Sequence, residues 1–229
     1  MNPTARMARR VLGLFAKHPA PSQVKTRLAA ATSPEWAAQV AAAFLADLLG
    51  LLPSINARRI VAFSPADARP YFAAASRHFE LVPQGDGDLG CRLERFFVAQ
   101  LAAGAEAVIV VGADSPTLPL AFIEQAFDRL SSSDVVLGPA TDGGYYLLGC
   151  ARRVPPIFDN IHWSGSTVLA ETIVRLAGVS CRLSLLPPWY DVDTVDDWRM
   201  LCGHVAALRR AGIDPGVPHT EALCLADSP

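Results

Sequence analysis

The feature that most constrains the fold is a regular alternation of short apolar runs with amphipathic helical patterns. The clearest run, Ala107–Val111, is rich in β-branched residues, which is typical of a strand buried on both sheet faces. Similar runs predict strands at Val11–Phe15, Arg59–Phe63, His78–Val82, Val135–Gly138, Tyr145–Leu148 and Arg182–Leu186. Helices are predicted at Pro34–Leu52, Ala66–Arg77, Arg92–Ala102, Pro119–Leu130, Thr167–Ala177 and Val195–Arg210. This alternation predicts an α/β sandwich with a mostly parallel sheet.

Length and composition indicate one large domain, residues 1–211, followed by a C-terminal tail, residues 212–229. The chain has 229 residues, of which 51% are apolar and 18% charged, so it can fill a sizeable core. The tail is rich in Pro, Gly and Asp and is expected to pack loosely. A net charge of −2 argues against a nucleic-acid partner. The sequence predicts no membrane span, because no run approaches the roughly 20 apolar residues needed, and a cytoplasmic location is expected.

The cysteines do not form a recognisable motif. All five lie far apart in the sequence, without a C-x-x-C pair or a histidine at metal-ligand spacing. This pattern predicts buried or incidental thiols in a reducing compartment.

A basic loop follows the first predicted strand and carries Lys17, Lys25 and Arg27. A strand that leads through such a loop into a helix is a common phosphate-binding arrangement, because backbone N–H groups and cations converge there. Pro19 and Pro21 stiffen the loop, which reduces the entropy lost on binding. The alternative is an ordinary Pro-rich turn with solvated lysines. The loop lacks both the Walker pattern and the dinucleotide-binding glycine pattern.

Three aspartates are candidate ligands for Mg²⁺ or Mn²⁺. Asp114 directly follows the buried strand Ala107–Val111, and such a carboxylate suits a hard cation. Asp191 and Asp193 alternate, so in an extended segment both side chains point to the same side, and two like charges there need a cation. The alternatives are that Asp114 caps the helix near Pro119 and that Asp193 or the next residue caps the last helix.

Three further loops offer polar groups to a ligand. In G-P-A-T-D-G-G-Y-Y the glycines allow close approach and Asp142 could orient a sugar hydroxyl or an amine, or the segment is a simple hairpin turn. The Gln84–Gly90 loop could contact a ribose or base, or be a mobile loop. His162–Ser166 offers hydroxyls at a helix N-terminus, or Ser166 is a plain cap. No role is assigned to His18, His78, His204 or His219.

Taken together, five motifs between Val11 and Trp198 resemble a known family: F-A-K-H-P-A-P-S-Q-V-K-T-R-L, Q-G-D-G-D-L-G, G-A-D-S-P-T-L, D-G-G-Y-Y-L-L-G and D-V-D-T. They look like those of the glycosyltransferase-like proteins labelled as arsenosugar-biosynthesis glycosyltransferases. These proteins are related to the guanylyltransferases of deazaflavin cofactor synthesis. The resemblance implies a GT-A fold, which is the Rossmann-like three-layer sandwich of nucleotide-diphospho-sugar transferases, with a divalent metal.

The resemblance and the loops above define the predicted site. The expected nucleotide contacts are Ala16, Lys17, Lys25, Arg27, Gln84 and Gly85. The implied metal ligands are Asp114, Asp191 and Asp193, and Lys25 and Asp114 are the expected catalytic residues. The second substrate is expected to meet Asp142, Gly143, Gly144, Trp163, Ser164 and Ser166. Two positions depart from the family pattern: Ser22 stands where glycine is usual, and Gly165 lengthens a W-S-T turn.

The expected activity is metal-dependent transfer from a nucleotide or nucleotide-sugar donor to a small-molecule acceptor. Transfer of a glycosyl group, with release of a nucleoside diphosphate, is preferred. The alternatives are nucleotidyl transfer with release of pyrophosphate and a non-catalytic nucleotide-binding protein.

Overall fold

The computed structural model describes residues 9–163 and 165–226. A seven-stranded sheet runs through these residues in the order β3-β2-β1-β4-β6-β5-β7. The strands are β1 (Arg10–Lys17), β2 (Arg58–Ser64), β3 (Glu80–Pro83), β4 (Ala107–Gly112), β5 (Val135–Pro139), β6 (Tyr145–Ala151) and β7 (Leu183–Leu185). Strand β6 is antiparallel to β4 and β5, whereas the other paired strands are parallel. The predicted α/β fold with a mostly parallel sheet is confirmed.

Helices cover both faces of the sheet. They are α1 (Thr26–Ala31), α2 (Pro34–Leu51), α3 (Arg69–Ala75), α4 (Leu89–Ala102), α5 (Leu120–Arg129), α6 (Val168–Ala177), α7 (Val195–Arg210) and α8 (Pro218–Leu225). Because alternate strand residues point to opposite faces, Leu12 of β1 packs with Leu48 of α2 and Phe127 of α5. Its neighbour Val11 packs on the other side with Phe96 of α4. The sheet is therefore the middle layer of the predicted three-layer sandwich.

Helix α2 is the most apolar long helix in residues 9–163 and 165–226. Extended to Ser54, it is long and apolar enough to cross a membrane by length and composition, and 50% of its most apolar window is buried inside the protein. Its apolar character has a local explanation. Leu48 faces the sheet, while Val40 and Phe44 pack in a separate cluster with Trp198 of α7.

The helix caps decide two of the alternatives left open by the sequence. Ser33 caps α2 by accepting a hydrogen bond from the backbone N–H of Trp36. Thr194, and not Asp193, caps α7. Helix α5 begins after Pro119, which makes no side-chain cap, so Asp114 does not cap it. The side chains of Asp114 and Asp193 are thus left for other contacts.

The C-terminal segment is more firmly attached than its composition predicts, and the expectation of loose packing is wrong. Helix α8 packs on α2 and α7. The buried carboxylate of Asp47 in α2 accepts hydrogen bonds from the backbone N–H groups of His219 (2.9 Å) and Thr220 (2.8 Å) at the start of α8. A disulfide joins Cys202 of α7 to Cys224 of α8, so these two cysteines are not the incidental thiols that were expected.

Candidate active site

The loops that follow the carboxyl ends of the parallel strands enclose a cavity of about 730 Å³. Sheets of this type bind ligands at this edge, and the volume lies in the usual range for small-molecule sites. Its lining comes from the end of β1 and the loop after it, from α1 and α2, from the loop that leads into α4 and the start of that helix, and from the loop after β4. The β5–β6 hairpin and the segments near Trp163 and Asp191 complete it. A smaller cavity of about 250 Å³ adjoins it and shares Lys17, Gln23 and Arg92 with it.

The loop after β1 is held in an unusual backbone shape. Ser22 has φ 65° and Lys25 has φ 44°, both in the left-handed region that favours glycine. Proteins of the family that this sequence resembles usually have glycine at position 22. Ser22 adopts a backbone conformation that glycine favours. Lys25 stands at the N-terminus of α1. Its backbone is left-handed, and its own side chain extends to Asp114 in the loop after β4.

Lys25 is buried by its partners, with 2% of its side chain exposed. Its ammonium donates hydrogen bonds to Oδ1 of Asp114 at 2.6 Å and to the carbonyl of Val192 at 2.7 Å. It also lies 3.9 Å from Oδ1 of Asp193 and 4.7 Å from the centre of the Phe44 ring. One lysine thus connects the loop after β1 with both acidic segments.

The segment that carries Asp191 and Asp193 is fastened across the loop after β4. The N–H of Val192 donates to the carbonyl of Asp114 at 3.0 Å, and the hydroxyl of Ser115 donates to Asp191. Burial, which is costly for a charged carboxylate, and the nearby negative charges of Asp114, Asp142 and Asp193 together raise the pKa of Asp191 to about 7, against the opposing effect of the Ser115 hydrogen bond. The pKa of Asp193 is raised for the same reasons, against the opposing effect of Lys25.

Tyr190, which precedes Asp191, makes a second set of contacts that fastens the acidic segment. Its hydroxyl lies 2.8 Å from Oγ1 of Thr117 and 2.7 Å from Nδ1 of His204. His204, to which the sequence assigns no role, therefore has a partner that fixes the acidic segment to α7. Tyr190, Thr117 and His204 do not line the cavity, so their contacts hold the acidic segment in position.

The predicted three-carboxylate metal site is not formed. In the part of the chain that the structure describes, no group of three or more His, Cys, Asp or Glu side chains is arranged to hold a metal ion. The physical reason is the ammonium of Lys25, which already lies against Asp114 and near Asp193. Carboxylate oxygens are the donors that Mg²⁺ prefers, but these three do not fit a metal site built from protein ligands alone.

Among the predicted nucleotide contacts, Lys17, Lys25 and Arg27 line the cavity, as does Ala16. Gln84 also lines it, but its amide is occupied: Nε2 donates to the carbonyls of Ala62 at 2.8 Å and Ala16 at 3.4 Å. Its side chain therefore holds the ends of β1 and β2 together and does not offer its amide N–H groups to a base. Gly85 is a turn residue with φ 77°, close to the Arg95 guanidinium.

The residues predicted to meet the second substrate divide into two groups. Asp142, Gly144 and Trp163 line the cavity. Gly143 and Ser166 instead pack against each other, because a Cβ on Gly143 would lie 2.0 Å from the Ser166 carbonyl oxygen. Ser166 is also not the cap of α6, whose N-cap is the following residue. Ser164 lies outside the described residues.

The sequence did not single out several residues that line the cavity. They include Arg92 in the first turn of α4, Tyr145 at the start of β6, and the apolar residues Leu89 and Val168. Arg92 could have been found from its position just after the acidic loop. The N-terminus of α4 begins at Leu89, earlier than predicted, because the Asp88 side chain accepts a hydrogen bond from the Cys91 N–H at 2.8 Å.

Comparison with known proteins places the chain in a family. The sequence profile of DUF2064, described as an uncharacterized protein conserved in bacteria, matches residues 49–165. The chain belongs to this family. Among curated proteins, none matches the chain in sequence.

Solved structures share the fold. A protein from Desulfovibrio desulfuricans G20, provisionally assigned as a nucleotide-diphospho-sugar transferase, superposes with a TM-score of 0.84 at 29% identity, covering 95% of this chain and 97% of that chain. The 4-diphosphocytidyl-2C-methyl-D-erythritol synthase from Anaerococcus prevotii DSM 20548 gives a TM-score of 0.56 at 10% identity, covering 88% of this chain and 99% of that one. A cytidylyltransferase from Leptospira borgpetersenii gives 0.55 at 12% identity, with 87% of each chain covered.

These likenesses confirm the predicted nucleotide-diphospho-sugar transferase fold, and the protein from Desulfovibrio desulfuricans supports the predicted transferase class of enzyme. The two more distant enzymes show the fold alone.

Proposed function

We propose that this protein is a transferase that binds a nucleotide donor in the 730 Å³ cavity, and that the preferred donor is a nucleoside diphospho-sugar. The observation that supports this proposal is that one cavity is lined both by carboxylates and by four cations, which are Lys17, Lys25, Arg27 and Arg92. Guanidinium and ammonium groups on a strand-loop-helix turn suit a diphosphate. The relative from Desulfovibrio desulfuricans carries a provisional assignment of this kind.

The cations have different roles in this proposal. Lys17 and Arg27 line the cavity directly and can bind the diphosphate oxygens. Arg92 also lines it but donates from Nε to the carbonyl of Gly87 at 2.9 Å and from Nη1 to Oε1 of Gln84 at 3.4 Å, so its Nη2 is the group left for a phosphate oxygen. Lys25 uses two of its three N–H groups on Asp114 and Val192. Its remaining N–H can meet a phosphate oxygen where negative charge develops as the sugar–phosphate bond breaks, and a fixed donor of this kind stabilises the departing diphosphate.

Mg²⁺ or Mn²⁺ is proposed only as an ion that enters with the donor. When bound, such an ion would neutralise phosphate charge. Hard cations often bind one or two carboxylates together with phosphate oxygens. Asp114 and Asp193, which line the cavity beside Lys25, are the carboxylates that would hold the metal ion.

Nucleotidyl transfer is the second candidate, because the more distant structures of the same fold include a cytidylyltransferase. A non-catalytic nucleotide-binding protein is the third. A cytoplasmic location stays a prediction.

The test is an assay of products with a panel of nucleoside triphosphates and nucleotide sugars, with Mg²⁺, with Mn²⁺ and with a chelator. Release of a nucleoside diphosphate from a nucleotide sugar supports glycosyl transfer, and release of pyrophosphate from a nucleoside triphosphate supports the second candidate. Lys17→Met should weaken donor binding without unfolding the protein. Calorimetric binding without any product would support the non-catalytic alternative, and no binding of any donor would refute the proposal.

A further inference from the structure

The two ends of the large cavity differ in charge. The cations that line it come from the loop after β1 and from α4. The lining contributed by the β5–β6 hairpin and by residues 163–168 has no lysine or arginine in the described part of the chain, and Asp142 is its charged group. Strand β4 separates β1 from β6 in the sheet, so the cations on the β1 side and Asp142 lie on opposite sides of Asp114. Helix α4 borders both ends, and its Arg92 donates to Gly87 and Gln84.

The end that holds Asp142 has an aromatic wall. The rings of Tyr145 and Trp163 meet edge to face with centres 6.4 Å apart, and Trp163 also stacks on Phe158 at 6.5 Å. Trp163 rests on Gly90, where an added Cβ would lie 2.4 Å from its Nε1. Packing on three sides holds the indole in one orientation, and the wall is therefore pre-formed.

The carboxylate beside this wall is only partly used. Oδ1 of Asp142 accepts a hydrogen bond from the Gly144 N–H at 2.8 Å, and the side chain is exposed. A carboxylate accepts several hydrogen bonds, so Asp142 retains capacity for ligand hydroxyl groups. An apolar ring surface with a few convergent acceptors is typical of the lining of a small-molecule site.

We infer that the second substrate, whose site rests on the proposed function, is a polyhydroxylated ring of the sugar class that carries no phosphate or carboxylate group. Its C–H face packs on the aromatic wall and its hydroxyls donate to Asp142. A phosphate group would meet Asp142 with no lysine or arginine among the described residues lining that end. Even with a water-like dielectric constant, a phosphate dianion ~6 Å from one carboxylate is disfavoured about tenfold.

The experiment uses saturation-transfer NMR on the full chain with glucose and glucose 6-phosphate as probes. Excess inorganic pyrophosphate is added first to fill the cationic end, so that a phosphate group cannot bind there. Glucose should give a clear signal, with glucose 6-phosphate at least about tenfold weaker. Asp142→Lys should reverse the order of glucose and glucose 6-phosphate, whereas Asp159→Lys, an exposed aspartate that does not line the cavity, should not.

Trp163→Leu should abolish the glucose signal while pyrophosphate binding persists, which also shows that the variant is folded. A preference of the wild-type protein for glucose 6-phosphate, no glucose signal, or a glucose signal that survives Trp163→Leu would each overturn the inference. Failure of pyrophosphate to bind in a calorimetric titration would instead count against the proposed nucleotide site, and the glucose comparison would still decide the inference.

Discussion

Replacing Lys25 with methionine removes a buried ammonium and keeps most of its apolar stem. The wild-type group is 2% exposed and donates to Asp114, whose side chain is 51% exposed. Breaking a fully buried ion pair costs about 3–5 kcal/mol, and one charged hydrogen bond contributes about 1.5–3 kcal/mol. Because solvent reaches Asp114, the lower values apply, and we expect a loss of about 2 kcal/mol of unfolding free energy. That loss lowers the melting temperature by about 4–8 °C.

The assay is a double-mutant cycle by urea unfolding with Lys25→Met, Asp114→Asn and the double variant. The two changes should be coupled by about 1–2 kcal/mol, because each removes the same contact. Lys17→Met is the matched control: this lysine is the last residue of β1, just before the same loop, but is exposed, so its stability cost should stay below about 0.5 kcal/mol. A coupling indistinguishable from zero, or an equal cost for Lys17→Met, would refute the assignment of Lys25 as the fixed cation of the acidic segments.

Three further predictions concern the framework. Cys202→Ser opens a disulfide with a sequence separation of 22, and should cost about 3 kcal/mol by urea unfolding of the oxidised protein, whereas Cys91→Ser should cost little. Hydrogen bonds, above all the one from Arg152, lower the pKa of Asp134 to about 2. The ionised Asp134 therefore stabilises the folded protein above the unfolded pKa, near 4, and this stabilisation is lost as pH falls from there towards 2. Asp134→Asn should therefore flatten the acid limb of a thermal-stability profile. Gly143→Ala, at φ 94° and against backbone, should lower the melting temperature markedly.

The strands were predictable from the sequence because burial on both faces leaves an unbroken apolar run, as in Val108–Val111, where every side chain is buried. Helix ends were less predictable, because they depend on caps. Helix α4 begins at Leu89 since Asp88 supplies the cap, although the apolar periodicity begins later.

Pairings between distant segments were not predictable, since they depend on the order of strands in the sheet. Lys25 and Asp114 are 89 positions apart and meet because β1 and β4 are neighbours. Gln84 illustrates the opposite case. A polar residue in a loop is typical of a ligand contact, but the amide of Gln84 donates instead to the backbone carbonyls of Ala16 and Ala62, which need hydrogen-bond donors when buried.

The acidic segment shows where the sequence reasoning was sound and where it was incomplete. Two carboxylates on one side of a strand do need compensation, and the sequence alone suggested a metal ion. The structure supplies other means: the ammonium of Lys25 compensates Asp114 and lies near Asp193, while the raised pKa of Asp191, about 7, favours a bound proton. A divalent ion that enters with a nucleotide must therefore compete with Lys25 for Asp114. For this reason Lys25→Met, if it folds, should bind Mg²⁺ in the presence of a nucleotide more tightly than the wild-type protein does, as measured by calorimetry.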